Sequence, residues 1–291
     1  MDQPVEGISA SVSSPDRAQM PHLVIVPGST PLLRYVRDLL HHRDLLWVLA
    51  VRDLKLRYRQ TALGVSWVVL QPVLSAGILS FIFGNVADLP TQGIPTFIFT
   101  YAGMLAWTSF SSTFSRATTS LVNSSSLVAK IFFPRLVLPI STVFSIMVDF
   151  CVTLVLMLVL LFANDLPPDA RILLLPIWTV FLIMIAEGAG SFLASFAVRY
   201  RDIPQITPVL IQLGLYASPV AYAVAAVPDR YLTLYYLNPI VALLEAFRWS
   251  LLGTAFPTTG HLAYSAGVAL TVFVVGMVTL ERRERTFADV I

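Results

Sequence analysis

Two acidic side chains, Asp149 and Glu187, stand inside long apolar runs of this 291-residue chain and are the first candidates for chemistry. An ionisable group in a membrane-spanning helix is costly, so it marks a proton or substrate path or a buried structural contact. Proton coupling would use both carboxyls. The structural alternative places each one in the interior of a helix bundle, protonated or hydrogen-bonded. Since no Lys or Arg stands deep in an apolar run to pair with them, the sequence favours the structural alternative.

The lysines exclude a phosphate-binding loop, which needs Gly directly before Lys. Lys55 follows Leu54, and Lys130 follows Ala129. The single cysteine, Cys151, stands in an apolar run, and the four histidines do not cluster with carboxylates at ligand spacing. We therefore expect no catalytic residue, no metal and no cofactor in this chain.

A basic stretch before the first long apolar run is the next candidate. Four positive charges stand within eight residues, at Arg52, Lys55, Arg57 and Arg59. No charge follows between residues 64 and 87, which is typical of a helix that leaves the cytoplasmic face and enters lipid. Apolar residues recur there at helical spacing, as in a helix lying in the membrane surface: Trp47, Val51, Leu54 and Tyr58. A cluster that only sets topology is the alternative.

Composition gives the fold class that must position these residues. The chain is 56% hydrophobic and 12% charged, with a mean hydropathy of +0.76, whereas soluble domains are about 25% charged. This indicates an all-α polytopic membrane protein. Six segments have roughly the 20 apolar residues that a span needs: residues 64–83, 96–114, 136–162, 172–198, 203–227 and 262–280.

The basic residues predict the orientation of these spans. If both termini are cytoplasmic, every Lys and Arg falls on the cytoplasmic side except Arg171, Arg230 and Arg248. The positive-inside rule therefore predicts a multi-pass protein of the cytoplasmic (inner) membrane with both ends inside. The predicted divisions are a flexible cytoplasmic tail at 1–30, amphipathic interfacial helices at 31–62, a six-span domain at 63–281 and a cytoplasmic tail at 282–291.

Two connections within the six-span domain are unusual. The cytoplasmic loop 123–135 predicts a short helix that presents Leu127, Ile131, Phe132 and Phe133 and stops at Pro134. This apolar surface either meets a partner protein or lies against lipid headgroups.

The second unusual connection, residues 228–257, is too polar for a span and too apolar for a solvated loop. A short helix at 240–252, capped by Asn238 with Pro239 in its first turn, would dip into the membrane and return. Backbone broken at that depth needs protein or a cavity to cover it. Glu245 and Arg248 have the i, i+3 spacing of a helical ion pair.

Five stretches together resemble one family, in order and spacing: RDLKLRYRQTALGVSWVVLQP at 52–72, NSSSLVAKIFFPRLVLP at 123–139, VRYRDIPQ at 198–205, YASPV at 216–220 and LNPIVALLEAFRWSLLG at 237–253. The chain is similar, over about residues 30 to 285, to the membrane subunit of type-two ABC exporters for lipid-linked polysaccharide. These are the O-antigen, teichoic-acid and capsular polysaccharide permeases.

The resemblance implies a homodimer that binds two copies of a separate cytoplasmic ATPase, which would hold ATP and magnesium. Its other partners would be a lipid-linked polysaccharide and membrane lipids, with no nucleic acid. The residues that would couple to the ATPase are Leu127, Lys130, Ile131, Phe132, Phe133, Pro134 and Arg135. The entrance for the substrate's lipid headgroup would comprise Arg52, Arg57, Arg59, Leu63 and Gly64. The extracytoplasmic gate, re-entrant between spans five and six, would comprise Asn238, Pro239, Glu245, Arg248 and Trp249.

Two alternatives stay open from the sequence. A permease for a drug or small lipid would have the same ABC architecture. A proton-coupled secondary transporter would use Asp149 and Glu187, and would leave Phe132 and Phe133 in lipid.

Overall fold

The computed structural model describes residues 43–58, 65–128 and 133–284, and all regular structure within these ranges is helical, as predicted. The α-helices are α1 (Arg43–Tyr58), α2 (Val65–Ser80), α3 (Thr96–Asn123), α4 (Ser125–Val128), α5 (Val137–Ala163), α6 (Leu175–Ala197), α7 (Ile203–Tyr216), α8 (Asp229–Tyr235), α9 (Pro239–Leu252) and α10 (Thr259–Glu284). A π-helical turn, Phe81–Val86, continues α2, and 3-10 turns form at Ala170–Leu174 and Val224–Ala226.

Four helical segments in the described part of the chain are long and apolar enough to cross a membrane: Ser66–Val86, Val137–Ala163, Ala170–Ala197 and Thr259–Arg283. They correspond to the first, third, fourth and sixth predicted spans. Apolar side chains such as Val155 and Val180 are more than half exposed on them, which suits contact with lipid. These features are those of a multi-pass membrane protein.

Helix α3 lies at the centre of the molecule, where it contacts α2, α5, α6, α7 and α9. It extends nine residues beyond the predicted end of the second span, to Asn123. Its hydroxyls donate to carbonyls of the preceding turn, as Thr113 does to Ser109 and Thr118 to Phe114, both at 2.7 Å. Because these polar groups are satisfied within the helix, α3 is buried despite its many Ser and Thr residues.

The predicted fifth span, 203–227, is not one continuous helix. Helix α7 ends at Tyr216 and has 14 residues, which at 1.5 Å per residue is about 21 Å. Ser218 and Pro219 follow, and a proline both lacks an N–H and disfavours helical geometry in the residue before it. The 3-10 turn at Val224–Ala226 then leads to α8.

Helices α6 and α10 cross at two glycines. A Cβ atom on Gly276 would collide with the carbonyl of Gly188, and one on Gly188 would collide with the backbone of Val272 and Phe273. Only hydrogen side chains allow the two backbones to approach this closely, as at close helix crossings in membranes. The contact fixes α10, the last span, against the core of the bundle.

Helix α1 packs against α5 through a face that differs from the stripe predicted to lie in the membrane surface. The buried residues are Leu49 and Ala50, at 4% and 1% exposure, whereas Trp47 is 58% exposed although its ring meets Phe144 at 5.0 Å. Trp47, part of the stripe predicted to lie in the membrane surface, is therefore not on the buried face, and contact of that stripe with lipid stays a prediction. Packing against the bundle selects the buried face, and apolar side chains remain on the other side. The predicted tail at 1–30, the interfacial helix before residue 43 and residues 285–291 of the predicted tail at 282–291 lie outside the described residues, whereas residues 282–284 belong to α10.

Candidate functional site

The arginines predicted to meet the substrate's headgroup are described only in part. Arg52 lies on α1 with its side chain 40% exposed, and its Nε and Nη2 atoms both donate to Asp53 Oδ1, at 3.1 and 2.9 Å. Arg57 belongs to α1, but its side chain lies outside the described part, as do Arg59, Leu63 and Gly64. The guanidinium of Arg52 is thus held at the surface of α1 by the neighbouring carboxylate.

A polar cavity of about 420 Å³ opens between α1, the end of α3 and the start of α5. Arg52 and Asp53 line it from α1, and Arg116 lines it from α3, where Arg116 Nη1 donates to Ser145 Oγ at 2.7 Å. Sequence reasoning assigned Arg116 only to the cytoplasmic side. Its position among the Ser and Thr residues of α3 was the available signal that it faces a polar space.

The predicted coupling loop is anchored from within the protein. Phe133 is only 5% exposed and packs in an apolar cluster with Leu49, Leu121 and Leu280, so it does not present its ring on the surface as predicted. Half-buried Leu127, from the short helix α4, packs against the same cluster. Lys130, Ile131 and Phe132 lie outside the described residues.

The end of the coupling loop starts the next span. The carbonyl oxygens of Pro134 and Arg135 accept hydrogen bonds from the Val137 and Leu138 N–H groups, at 3.0 and 3.1 Å. These bonds form the first turn of α5, so the end of the loop at Pro134 and Arg135 is continuous with that helix.

The predicted gate helix forms with the expected cap. Asn238 Oδ1 accepts a hydrogen bond from the Ile240 N–H at 3.1 Å, and Pro239 is the first residue of α9. The Asn238 side-chain amide also donates to the Ala217 carbonyl and to Ser218 Oγ, at 3.2 and 3.0 Å. One side chain therefore caps α9 and ties it to the end of α7.

The predicted ion pair between Glu245 and Arg248 does not form, because each side chain has another partner in the described structure. Tyr236 donates its hydroxyl proton to Glu245 Oε2 at 2.8 Å. Arg248 is 2% exposed, donates from Nη2 to the Val220 carbonyl, and lies 4.1 Å from the centroid of the Phe99 ring. Burial lowers the pKa of Arg248 to about 10, so the guanidinium stays charged at neutral pH.

The guanidinium of Arg248 lies against α3 at Gly103, where the lack of a side chain leaves room for it. A Cβ atom on Gly103 of α3 would collide with the Val220 carbonyl and with Arg248 Nη2. The segment after α7, the gate helix and the central helix α3 therefore meet at one point. Sequence spacing did not reveal this contact, since 28 residues separate Val220 from Arg248.

Aromatic contacts hold the other end of the gate helix. Trp249 is half-buried, packs edge-on against Phe256 with ring centroids 4.6 Å apart, and has the Arg171 guanidinium 5.4 Å from its ring. Trp178 of α6 donates from Nε1 to Ser250 Oγ at 2.8 Å. The helix is thus fixed on several sides.

The two intramembrane carboxyls lie at different helix contacts. Asp149 lines a cavity of about 70 Å³ between α2, α3 and α5, together with Trp67, Gln71 and Thr108. Glu187 is 2% exposed beside the crossing of α6 and α10, where Ser191 Oγ donates to Oε1 at 3.4 Å. Within the described residues no cluster of His, Cys, Asp and Glu could hold a metal.

Comparison with known proteins matches most of the region just described. The model of the ABC-2 type transporter family matches residues 44–252. An O-antigen export system permease protein RfbA of Myxococcus xanthus is 31% identical over 262 residues, which are 89% of this chain and 99% of the relative. A protein of the same name from Klebsiella pneumoniae is 28% identical over 254 residues, 85% of this chain and 95% of the relative.

A relative with lower sequence identity is named for a different polysaccharide. A polysialic acid transport protein KpsM of Escherichia coli is 23% identical over 241 residues, 81% of this chain and 92% of the relative. The family match includes most of α1, the predicted coupling loop and helix α9, the predicted gate. This chain belongs to the ABC-2 type transporter family.

Proposed function

We propose that this protein is the membrane subunit of an ABC exporter that moves a lipid-linked polysaccharide across the cytoplasmic membrane. The observation that carries the proposal is the likeness to an O-antigen export permease along 99% of that protein. A second relative is named for polysialic acid transport, so both names concern export of a glycan. Membership of the ABC-2 family also argues against a proton-coupled secondary transporter that uses Asp149 and Glu187.

The energy for export comes from a separate subunit in this proposal. Neither lysine of the chain follows a glycine, so the phosphate-binding loop of an ATPase has no counterpart here. Two copies of a cytoplasmic ATPase, with ATP and magnesium, would bind a homodimer of this chain.

The proposed topology has six crossings with both termini in the cytoplasm. Four helical segments qualify by length and hydropathy. Helix α3 has 28 residues, about 42 Å at 1.5 Å per residue, which exceeds the apolar core of about 30 Å. The fifth crossing combines α7 with the irregular segment that leads to α8, and the buried contact of Val220 with Arg248 covers that broken backbone.

Helix α9 would be the re-entrant extracytoplasmic gate, with Asn238, Pro239, Glu245, Arg248 and Trp249 as its residues. It is too short, at 14 residues, to cross the membrane. Its apolar residues are nevertheless buried, since Val241, Leu243 and Leu244 have no exposed surface. A short, largely buried helix beside the end of α7 fits a segment that enters the membrane and returns.

The cytoplasmic end would receive both the cargo and the ATPase. Arginines favour phosphate through paired N–H donors, so Arg52, Arg57 and Arg59 would meet the phosphates of a lipid-linked glycan beside Leu63 and Gly64. Leu127, Lys130, Ile131, Phe132, Pro134 and Arg135 would contact the ATPase, and Phe133 would anchor this loop in the bundle. ATP binding would then move the loop together with α5 and open a channel in the dimer.

Deletion of the chain in its own cell tests the proposal, with surface polysaccharide and cytoplasmic lipid-linked glycan measured together. We expect the surface glycan to disappear and the linked glycan to accumulate inside. A tagged wild-type chain should restore export and co-purify with an ATPase in equal amounts. Unchanged surface glycan, with altered tolerance of an exported drug or an altered lipid distribution, would contradict a polysaccharide cargo and favour the small-molecule alternative.

A further inference from the structure

The stretch VRYRDIPQ at 198–205 is one of the five that carry the family resemblance, and it has no part in the loop, entrance or gate described above. It forms the short turn between α6 and α7. Residues 199–202 are all exposed, and Tyr200 is 51% exposed. The guanidinium carbon of Arg199 lies 5.6 Å from the centroid of the Tyr200 ring. The turn therefore presents an aromatic ring between two cations, Arg199 and Arg201.

The turn leaves the bundle from the same apolar layer as the predicted coupling loop. Val198, at the start of the turn, packs against the apolar cluster that buries Phe133 and Leu280. Leu127 of the predicted coupling loop is half-buried against the same cluster. Both connections therefore lie just beyond this layer, at the end of the bundle that is predicted to be cytoplasmic.

The arginines of the turn have no acidic partner in the described part of the chain. No carboxylate there lies within ion-pair distance of Arg199 or Arg201, although Asp202 follows directly. A third cation comes from the last turn of α10, where the Arg283 guanidinium carbon lies 3.8 Å from the centroid of the Phe196 ring. The Phe196 carbonyl accepts a hydrogen bond from the Arg199 N–H at 2.9 Å, so the three cations share one surface. Because an aromatic contact does not neutralise a guanidinium, this surface suits an acidic partner.

The predicted coupling loop is too small to hold a partner by itself. A stable protein–protein contact uses about 20–30 residues on each side. Phe133 is buried in the bundle and Leu127 is half-buried, so the exposed part of the loop is smaller than its length suggests. A partner on this loop must therefore also rest on neighbouring surface. Tyr and Arg, which the turn at 199–201 exposes, are the residue types enriched where interfaces gain most of their energy.

The turn also begins the helix that reaches the predicted gate. Helix α7 starts directly after it and ends at Tyr216. The next two residues, Ala217 and Ser218, accept hydrogen bonds from the Asn238 side chain that caps α9. A partner on the turn and the predicted gate helix therefore contact the two ends of one helix.

We propose that residues 199–201 and Arg283 form a second docking surface for the cytoplasmic ATPase, and that this surface binds an acidic patch of that subunit. This inference rests on the proposed function, from which it takes the ATPase. The coupling loop supplies the apolar contact, and the turn between α6 and α7 supplies the charged one. Charged contacts of this kind speed association and fix the orientation of the partner.

Binding of the ATPase to the purified full chain, held in nanodiscs of phosphatidylcholine, tests this surface. The probe is the ATPase that co-purifies with the tagged wild-type chain, identified by its peptide masses and purified separately. Arg199→Gln with Arg201→Gln should weaken binding about three- to tenfold at about 0.1 M salt, the range that two exposed ion pairs supply. The difference should shrink at about 0.5 M salt, where exposed charges are screened. Equal affinities at the lower salt would overturn the proposal.

Two controls separate charge from structure. Arg199→Lys with Arg201→Lys keeps both charges and should keep most of the affinity. Arg230→Gln is the matched control, because Arg230 lies over the exposed ring of its neighbour Tyr231, at 4.6 Å, on the other predicted side of the membrane. It should bind the ATPase as the wild type does. An equal loss of affinity in either control would overturn the assignment of the contact to these charges.

A photo-crosslinking amino acid at position 200 identifies what covers the turn. We expect cross-links to an acidic segment of the ATPase. Cross-links to lipid alone would overturn the proposal and assign the turn to the headgroup layer. If no ATPase co-purifies with the wild-type chain, the proposed function fails together with this surface. An ATPase that binds the wild type and the Gln double variant equally removes only this surface, so the two failures are distinguishable.

Discussion

The Tyr236 hydroxyl donates a 2.8 Å hydrogen bond to Glu245 Oε2 and so joins the turn after α8 to the middle of α9. Tyr236 also stacks on the His261 ring of α10, with ring centroids 3.8 Å apart. The gate helix is therefore linked to the last span through one aromatic side chain. This relationship replaces the Glu245–Arg248 pair that sequence spacing predicted.

Tyr236→Phe and Glu245→Ala should each destabilise the gate region, by about 1–3 kcal/mol, the cost of leaving a buried polar partner unsatisfied. Because the two side chains share one hydrogen bond, the double variant should lose less than the sum of the single losses. Thermal denaturation of the purified chain measures all three effects. Strict additivity would show that the bond contributes no coupling energy.

The pH dependence of stability should change with Glu245→Gln. Burial raises the pKa of Glu245 above its ordinary value of 4.5, and this is opposed by the hydrogen bond from Tyr236 and by the charge of Arg248. A carboxyl whose pKa is raised on folding stabilises the fold below its unfolded pKa and loses that contribution as pH rises through its folded pKa. The melting temperature of the wild type should therefore fall, relative to that of Glu245→Gln, as pH increases above 4.5.

Gly276→Ala should destabilise the bundle, because its Cβ would collide with the Gly188 carbonyl where α6 and α10 cross. We expect a cost of about 1–3 kcal/mol, as in other overpacked cores. Gly267→Ala is the control on the same helix, since nothing lies within 4 Å of its Cβ position. It should be neutral or stabilise α10 by up to about 1 kcal/mol. Equal melting temperatures for the two variants would refute the close crossing.

Substitution of all three arginines before the first span, Arg52, Arg57 and Arg59, by Ala should impair export while the chain still reaches the membrane. Removal of the guanidinium groups would weaken contact with substrate phosphates. Surface glycan and membrane-localised chain, measured in the same cells, check this result. Replacement of Arg230 by Ala, on the other predicted side of the membrane, should leave export unchanged. Normal export in the triple variant would remove the headgroup role from this cluster.

Local signals predicted the gate helix well. Asn238, Pro239 and, at the end, Gly253 act within one turn of their own positions, and Gly253 adopts a left-handed φ of 66°. Such capping depends on neighbouring residues alone. The start and end of α9 were therefore predictable without knowledge of its surroundings.

Contacts distant in sequence were not predictable. The bond from Arg248 to Val220 and the burial of Phe133 against Leu280 depend on how whole helices pack. The i, i+3 spacing in the sequence suggested Glu245 as the partner of Arg248. The apolar pattern of loop 123–135 suggested that Phe133 is exposed on the surface. Hydropathy likewise underestimated the length of α3, which continues to Asn123. Its Ser and Thr hydroxyls bond to its own backbone, and this allows the polar part of the helix to be buried. Composition predicted the helical membrane class and four of the six proposed spans, whereas packing determines which side chains contact each other.

The coupling loop gives the last prediction, which separates an anchor from a contact surface. Phe133→Ala should cost about 3–5 kcal/mol, as for other buried aromatic residues, because Phe133 is 5% exposed among Leu49, Leu121 and Leu280. Phe133→Leu, which keeps an apolar side chain there, should lose much less. Melting temperature and the amount of chain in the membrane measure both effects.

Phe132→Asp should instead leave the chain folded and release the co-purifying ATPase. A partner that docks on an apolar face loses affinity when a charge enters the interface, whereas an anchor in the bundle affects folding first. Retention of the ATPase, its activity and surface glycan are measured together with the melting temperature. If Phe132→Asp retains the ATPase and export, the loop is not the coupling surface. If Phe133→Ala keeps the wild-type melting temperature but loses the ATPase, Phe133 belongs to the contact and not to the anchor.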